Sequence, residues 1–172
     1  MTFSEIYELA DVHRLPVDPI KIADALGVKV VSYKSAAEFF ELDIRELYAQ
    51  FPLGFSFETE GGACVALNEN SCGERRRRFT AAHELGHCVL GHLDGNEYSA
   101  EEERAAERFA AELLAPLVVL HEHGVRSFEE IAKLCGISRQ AAELRLEELI
   151  LRERSGFVPD EDEQRIKKLF FI

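Results

Sequence analysis

Residues 79–92 read FTAAHELGHCVLGH, and the chemistry this stretch offers is metal binding beside a general base. Residues four apart in an α-helix lie one above the other on one face, so His83 and His87 can turn both imidazoles toward one point. Two histidines in that relation are half of a zinc site. Glu84 follows His83 by one position, about 100° round the helix. That places a carboxylate beside the metal, where it can take a proton from water; Glu84 is read as the base and not as a ligand. By composition alone an H-E-x-x-H string arises by accident in roughly one chain of this length in a few hundred. Two helix histidines without metal are the plain alternative.

A catalytic zinc site takes three protein ligands and leaves a fourth position open. A third histidine two turns on would need Gly at 90 and His at 93, where this chain has Leu90 and Leu93. On a continued helix His92 would lie about 140° round from His87, so it is read as a surface or loop histidine. The remaining candidates are carboxylates of the next helix, EEERAAERFAAELLAP: Glu101, Glu102, Glu103, Glu107 and Glu112. Ala106, Phe109, Ala110, Leu113 and Leu114 mark its buried side, and Glu103 and Glu107 lie upstream along that edge. A carboxylate there must be paired or bound to metal. Glu103 and Glu107 therefore both stand as candidates, one as ligand and the other orienting a ligand histidine through its second ring nitrogen. Tyr98 and His92 are further candidates as oxyanion donors, with a bystander role the simpler reading of each.

The elements that must carry these residues are legible from their punctuation. Helical spacing runs over 3–13 and ends at LPVDP; Asp18 with Pro19 opens a helix that Gly27 stops. VKVVSY reads as a buried strand. Ser35 and Glu38 are read as a capping box for AAEFF, and a further helix covers Ile44 to Gln50. GFSFE and ACVALN are strands joined by a TEGG hairpin turn. The HELGH helix is expected from about Gly73 to Gly91, with the run RRRR at 75–78 as a solvated first turn. Its functional reading is contact with an acidic segment of a partner. Ser99 with Glu102, and Ser127 with Glu130, read as two more capping boxes. From Val118 onward the pattern is helical, with Gly136 in a turn and Ser138 capping SRQAAELRLEELILRE.

With 172 residues the chain is long enough for a sizeable core. The fold class expected is α+β: a small three-stranded sheet beside the HExxH helix, followed by a helical C-terminal half with a helix-turn-helix-like segment. The expected division is a zincin-like domain over 1–116 and a helical region over 117–172. Cys64, Cys72, Cys88 and Cys135 are scattered with no C-x-x-C pair, which fits reduced, packed thiols better than a disulfide framework. The opening MTFSEIYELADVHR carries Glu5, Glu8 and Asp11 where a signal peptide needs a positive start, and LLAPLVVL is too short to span a bilayer. A cytoplasmic location and no membrane partner follow as expectations. The net charge of −12 argues against nucleic acid as a partner.

RRRRFTAAHELGH, ERAAERFAAELLAP and SFEEIAKLCGISRQAAELRLEEL together resemble the ImmA/IrrE family of zinc metallopeptidases. The similarity takes in ACVALNEN and DPIKIADALGVKVV and covers about residues 5–150. The family motif has a Glu followed four positions later, usually by Asn, and then F-A-x-x-L-L-x-P. Aligned on Phe109, Ala110, Leu113, Leu114 and Pro116, its metal-binding Glu falls on Glu103. Glu107 stands where the family usually has Asn, and Ala115 where it commonly has Met. The resemblance implies zinc on His83, His87 and Glu103, Glu84 as catalytic base and Glu107 beside the ligands; manganese or iron would suit the same set. It also implies a narrowly specific cytoplasmic protease, an antirepressor that cuts a helix-turn-helix repressor of the Xre type. ACVALN, if it forms the sheet edge, would bind an extended substrate by strand addition.

Two other readings compete. Residues 127–149 resemble a DNA-binding helix-turn-helix, but residues 127–154 hold five basic residues against six glutamates. Glu143, Glu147 and Glu148 on the second helix suit a phosphate-lined groove badly. A metal-bound module that sequesters a repressor uncut is the other, and Glu84 speaks against it, since a purely structural site needs no base.

Overall fold

A computed structural model describes residues 1–70, 73–93 and 97–171. Contacts divide the chain into two compact units, one of residues 19–110 and one joining 1–18 to 111–172.

The first unit holds the sheet. Helix α2 (Pro19–Ala25) leads into strand β1 (Lys29–Ser32), then helices α3 (Tyr33–Phe40) and α4 (Ile44–Gln50), strands β2 (Gly54–Thr59) and β3 (Gly62–Leu67), and helix α5 (Glu74–Leu90). Helix α6 (Ala100–Leu114) begins here and crosses the division. The strand order is β1-β3-β2, with β1 parallel and β2 antiparallel to β3. ACVALN is therefore the central strand and not an edge: both its sides are already paired, and β2 is an edge beside it. The burial of Cys64, Val65 and Ala66 in succession fits a strand covered on both faces.

Alternation along β2 sorts its side chains. Phe55 joins Tyr33, Ala36, Ala37, Leu47 and Ala66 in a core cluster, with Phe57 packed against it. Ser56 takes the other side, where α5 packs on β2 and β3. Gly54 permits that packing, because a Cβ there would lie 2.8 Å from Thr80 Cγ2 and 3.0 Å from the Ala66 carbonyl.

Local boundaries differ from the sequence reading in three places. The cap of α3 is Ser32, whose side chain accepts from the Ser35 N–H at 3.1 Å, so Ser35 is the third helical residue and no capping box forms with Glu38. The strand stops at Ser32 for the same reason. The first helix, α1 (Phe3–Leu9), is shorter than 3–13 because the chain turns at Asp11 with φ 52°. Cys64, Cys88 and Cys135 are thiols; Cys72 lies outside the described residues.

The second unit contains α1, α7 (Leu117–His123), α8 (Phe128–Cys135), α9 (Arg139–Arg154) and α10 (Glu161–Phe171). The Ser127–Glu130 capping box, the left-handed Gly136 and the Ser138 cap all form as read. Arg145 of α9 turns inward, donating from Nε and Nη2 to the Ala115 carbonyl at 2.9 and 2.6 Å, from Nη2 to the Glu112 carboxylate and from Nη1 to that of Glu148. The apolar tail also docks: Phe170 meets Tyr7 edge-on with ring centroids 5.4 Å apart. Ile172, the last residue of that tail, lies outside the described residues. Among the described residues no helix is long and apolar enough to cross a membrane.

Candidate metal centre

Helix α5 and helix α6 come close because small residues meet where they cross. A Cβ on Gly86 would lie 3.0 Å from Phe109 Cδ1 and 3.3 Å from both Cα and O of Ala106. One turn upstream of Gly86 is His83, and one turn upstream of Ala106 is Glu103. The crossing thus sets the carboxylate against the histidine pair. The start of α6 is fixed independently: Ser99 N–H donates to Glu102 Oε2 at 2.7 Å and Glu102 N–H to Ser99 Oγ at 3.2 Å, the capping box read from the sequence.

The three groups converge on one point. His83 Nε2 and His87 Nε2 are 3.2 Å apart. Glu103 Oε2 lies 3.3 Å from His83 Nε2, and Glu103 Oε1 lies 3.7 Å from His87 Nε2. His87 is fully buried, whereas the Glu103 side chain is 45% exposed, so the centre opens on the α6 side. Glu107, a turn further along, is exposed and reaches His83 only through its charge. Arg75, Arg76 and Arg77 are exposed, as expected of a solvated first turn.

Electrostatics prepares both imidazoles to donate a lone pair. Burial, with the neighbouring His83 and His92, pushes His87 down to about 4. Burial also lowers His83, against the opposing pull of Glu103 and Glu107. Both rings are therefore neutral at pH 7. His87 Nδ1 lies 3.0 Å from His92 Nδ1; with His87 donating there, its Nε2 lone pair faces Glu103 and His83. Two neutral imidazoles and a carboxylate aimed at one point form a donor set able to hold a metal ion.

His92 is where helical extrapolation failed. Gly91 adopts the left-handed conformation, the Gly91 N–H donates to the Cys88 carbonyl at 3.3 Å and the His92 N–H to the His87 carbonyl at 2.9 Å. This C-terminal reversal folds His92 back over the helix instead of carrying it 140° round. The glycine was the available signal.

Glu84 sits beside the three. It is buried, and burial pushes its carboxyl up to about 7, opposed by a hydrogen bond from Ser56 and assisted by the charge of Glu103. Ser56 Oγ donates to Glu84 Oε2 at 2.9 Å and lies 2.8 Å from the Tyr98 hydroxyl. Tyr98 stacks on the His87 ring, with centroids 3.6 Å apart and planes 10° from parallel. Sequence reasoning missed Ser56, although the F-S-F alternation sets a hydroxyl on the face opposite two phenylalanines.

No curated protein matches the chain. Residues 23–147 match the family described as the IrrE N-terminal-like domain, Peptidase_M78. That span runs from α2 through most of α9 and includes the two helices that carry the histidines and Glu103. The metal-binding geometry and this match together make the chain a member of the ImmA/IrrE peptidase family.

Proposed function

We propose that the chain is a zinc-dependent endopeptidase of the cytoplasm that cleaves a helix-turn-helix repressor at a specific site. The observation that carries the reading is the convergence of His83, His87 and Glu103 on one point with the buried carboxyl of Glu84 alongside. When bound to the three, zinc supplies a Lewis acid that lowers the pKa of water toward about 7 and polarises the scissile carbonyl. Manganese or iron would fit the same donor set. Glu84 takes the proton from the attacking water and returns it to the leaving amine. Glu107 adds negative charge beside His83. An extended substrate segment pairs with the edge strand β2, whose Ser56 already reaches Glu84.

The repressor as substrate rests on the family resemblance. The inward-facing Arg145, tied to Ala115, Glu112 and Glu148, favours a protein partner for α9 over DNA, since it removes a cation from the surface a nucleic acid would need. The test is metal content of wild type, Glu84→Gln and Glu103→Ala, each incubated with Xre-type repressors and followed by intact mass. Glu84→Gln should keep its metal and lose cleavage by a factor of at least about a hundred, while Glu103→Ala should lose metal. A wild type that binds a repressor and leaves it intact under every metal tried would sink the peptidase and make the sequestering module the better account.

A further inference from the structure

A serine hydroxyl has one proton to give. Ser56 gives it to Glu84 Oε2 at 2.9 Å, so toward the Tyr98 hydroxyl, 2.8 Å away, Ser56 Oγ can only accept. The donors therefore run in one direction, Tyr98 to Ser56 to Glu84. A second acceptor, the Ser56 carbonyl, lies 3.4 Å from the same phenol. The ring of Tyr98 meanwhile covers the imidazole of His87 at 3.6 Å. One side chain thus touches a metal-facing histidine directly and the general base through a single hydroxyl.

We propose that Ser56 and Tyr98 are positioning residues. Ser56 holds Glu84 by Oε2, leaving Oε1 as the oxygen that exchanges a proton with water, and Tyr98 holds both Ser56 and the plane of His87. The consequence for turnover rests on the peptidase reading above. A glutamate turns about three side-chain bonds, and a hydrogen bond to one oxygen selects both a rotamer and which oxygen is presented. Tyr98 is then no oxyanion donor, because its proton is committed to Ser56.

The test uses the full chain, zinc-loaded and metal-free, with Ser56→Ala, Ser56→Thr, Tyr98→Phe and Tyr98→Leu. Three quantities are read: zinc affinity by competition with a chelator, the Glu84 conformation in metal-free crystals, and kcat and KM on a fluorogenic peptide spanning the bond cut in a repressor. Ser56→Ala should keep wild-type zinc affinity and KM, lose roughly ten- to a hundredfold in kcat, and show Glu84 in more than one rotamer. Ser56→Thr should restore both. Tyr98→Phe, which keeps the ring, should retain zinc and lose less in kcat. Tyr98→Leu should weaken zinc binding about tenfold or more. Full turnover in Ser56→Ala with Glu84 still in one rotamer overturns the proposal, as does a threonine that rescues neither quantity. If the wild type cuts no repressor, the peptidase reading falls by itself, and the Glu84 rotamer with the zinc affinities still decides the positioning roles.

Discussion

Glu84 is a carboxyl held where its charge is costly, and in the metal-free protein that cost has a pH signature. Its folded pKa of about 7 lies above the ordinary carboxylate value of 4.5. Between those two values the folded chain binds more proton than the unfolded one, so this group's contribution to stability is complete at low pH and is lost as pH rises through 7. His83 and His87 are shifted down and work in the opposite sense, which is why the comparison with Glu84→Gln isolates the carboxyl. Metal-free Glu84→Gln should be the more stable protein at pH 8, by on the order of 2 kcal/mol, with the difference closing at pH 4; thermal melts across that range measure it. The other residue-scale prediction concerns His92, which meets His87 Nδ1 at 3.0 Å. Replacing His92 by Ala should weaken zinc binding roughly 10- to 100-fold, read by chelator competition. An unchanged affinity would reduce His92 to a neighbour without influence.

At the scale of elements, the crossing of α5 and α6 does the selecting. Both Glu103 and Glu107 lie on the same edge of α6, and helical phase alone leaves either free to meet the histidines. The contact of Gly86 with Ala106 and Phe109 decides the matter by setting which turn of α6 faces His83. Gly86→Ala gains about 1 kcal/mol in helix propensity and must displace backbone as well as the Phe109 ring. Overpacking of that kind costs typically 1–3 kcal/mol, so a net loss of about 1 kcal/mol in thermal stability is expected. Zinc affinity should fall with it, because Glu103 is carried away from the pair; a variant with full affinity would show that the crossing does not set the ligand distance. The caps at Ser99, Ser127 and Ser138 were legible because each is a contact within four residues. The cap at Ser32 was not, since the SYKSAAE stretch offers two serines three apart, Ser32 and Ser35, and only the end of β1 chooses between them.

At the scale of the molecule, the two ends of the chain share one unit. The carboxylate of Asp162 on α10 accepts from the Phe3 and Ser4 N–H groups at 3.1 and 3.0 Å, capping α1 from a distant part of the sequence. Burial tends to raise this carboxyl, but hydrogen bonds from Ser4, Thr2 and Phe3 outweigh it and hold it below its ordinary value. A depressed carboxyl stabilises above its unfolded pKa, and the stabilisation is lost as pH falls through the folded one. Asp162→Ala should therefore lower stability at pH 7 by about 1 kcal/mol and make little difference at pH 2, measured by denaturant titration at both. Equal losses at the two pH values would show that the charge of Asp162 is not what caps α1.

The pair of histidines and the carboxylate beside them followed from the sequence alone, because i, i+4 spacing is a property of any helix and needs no partner. The three strands, the hairpin and most caps were legible for the same reason: their physics is local. The tertiary structure decided everything that depends on two elements meeting. It put ACVALN in the centre of the sheet and brought Glu103 to the histidines while leaving Glu107 in solvent. It also folded His92 back onto His87 and joined Ser56 to Tyr98 and Glu84. Those contacts arise from close packing at positions such as Gly54 and Gly86, where the absence of a side chain sets the distance between elements.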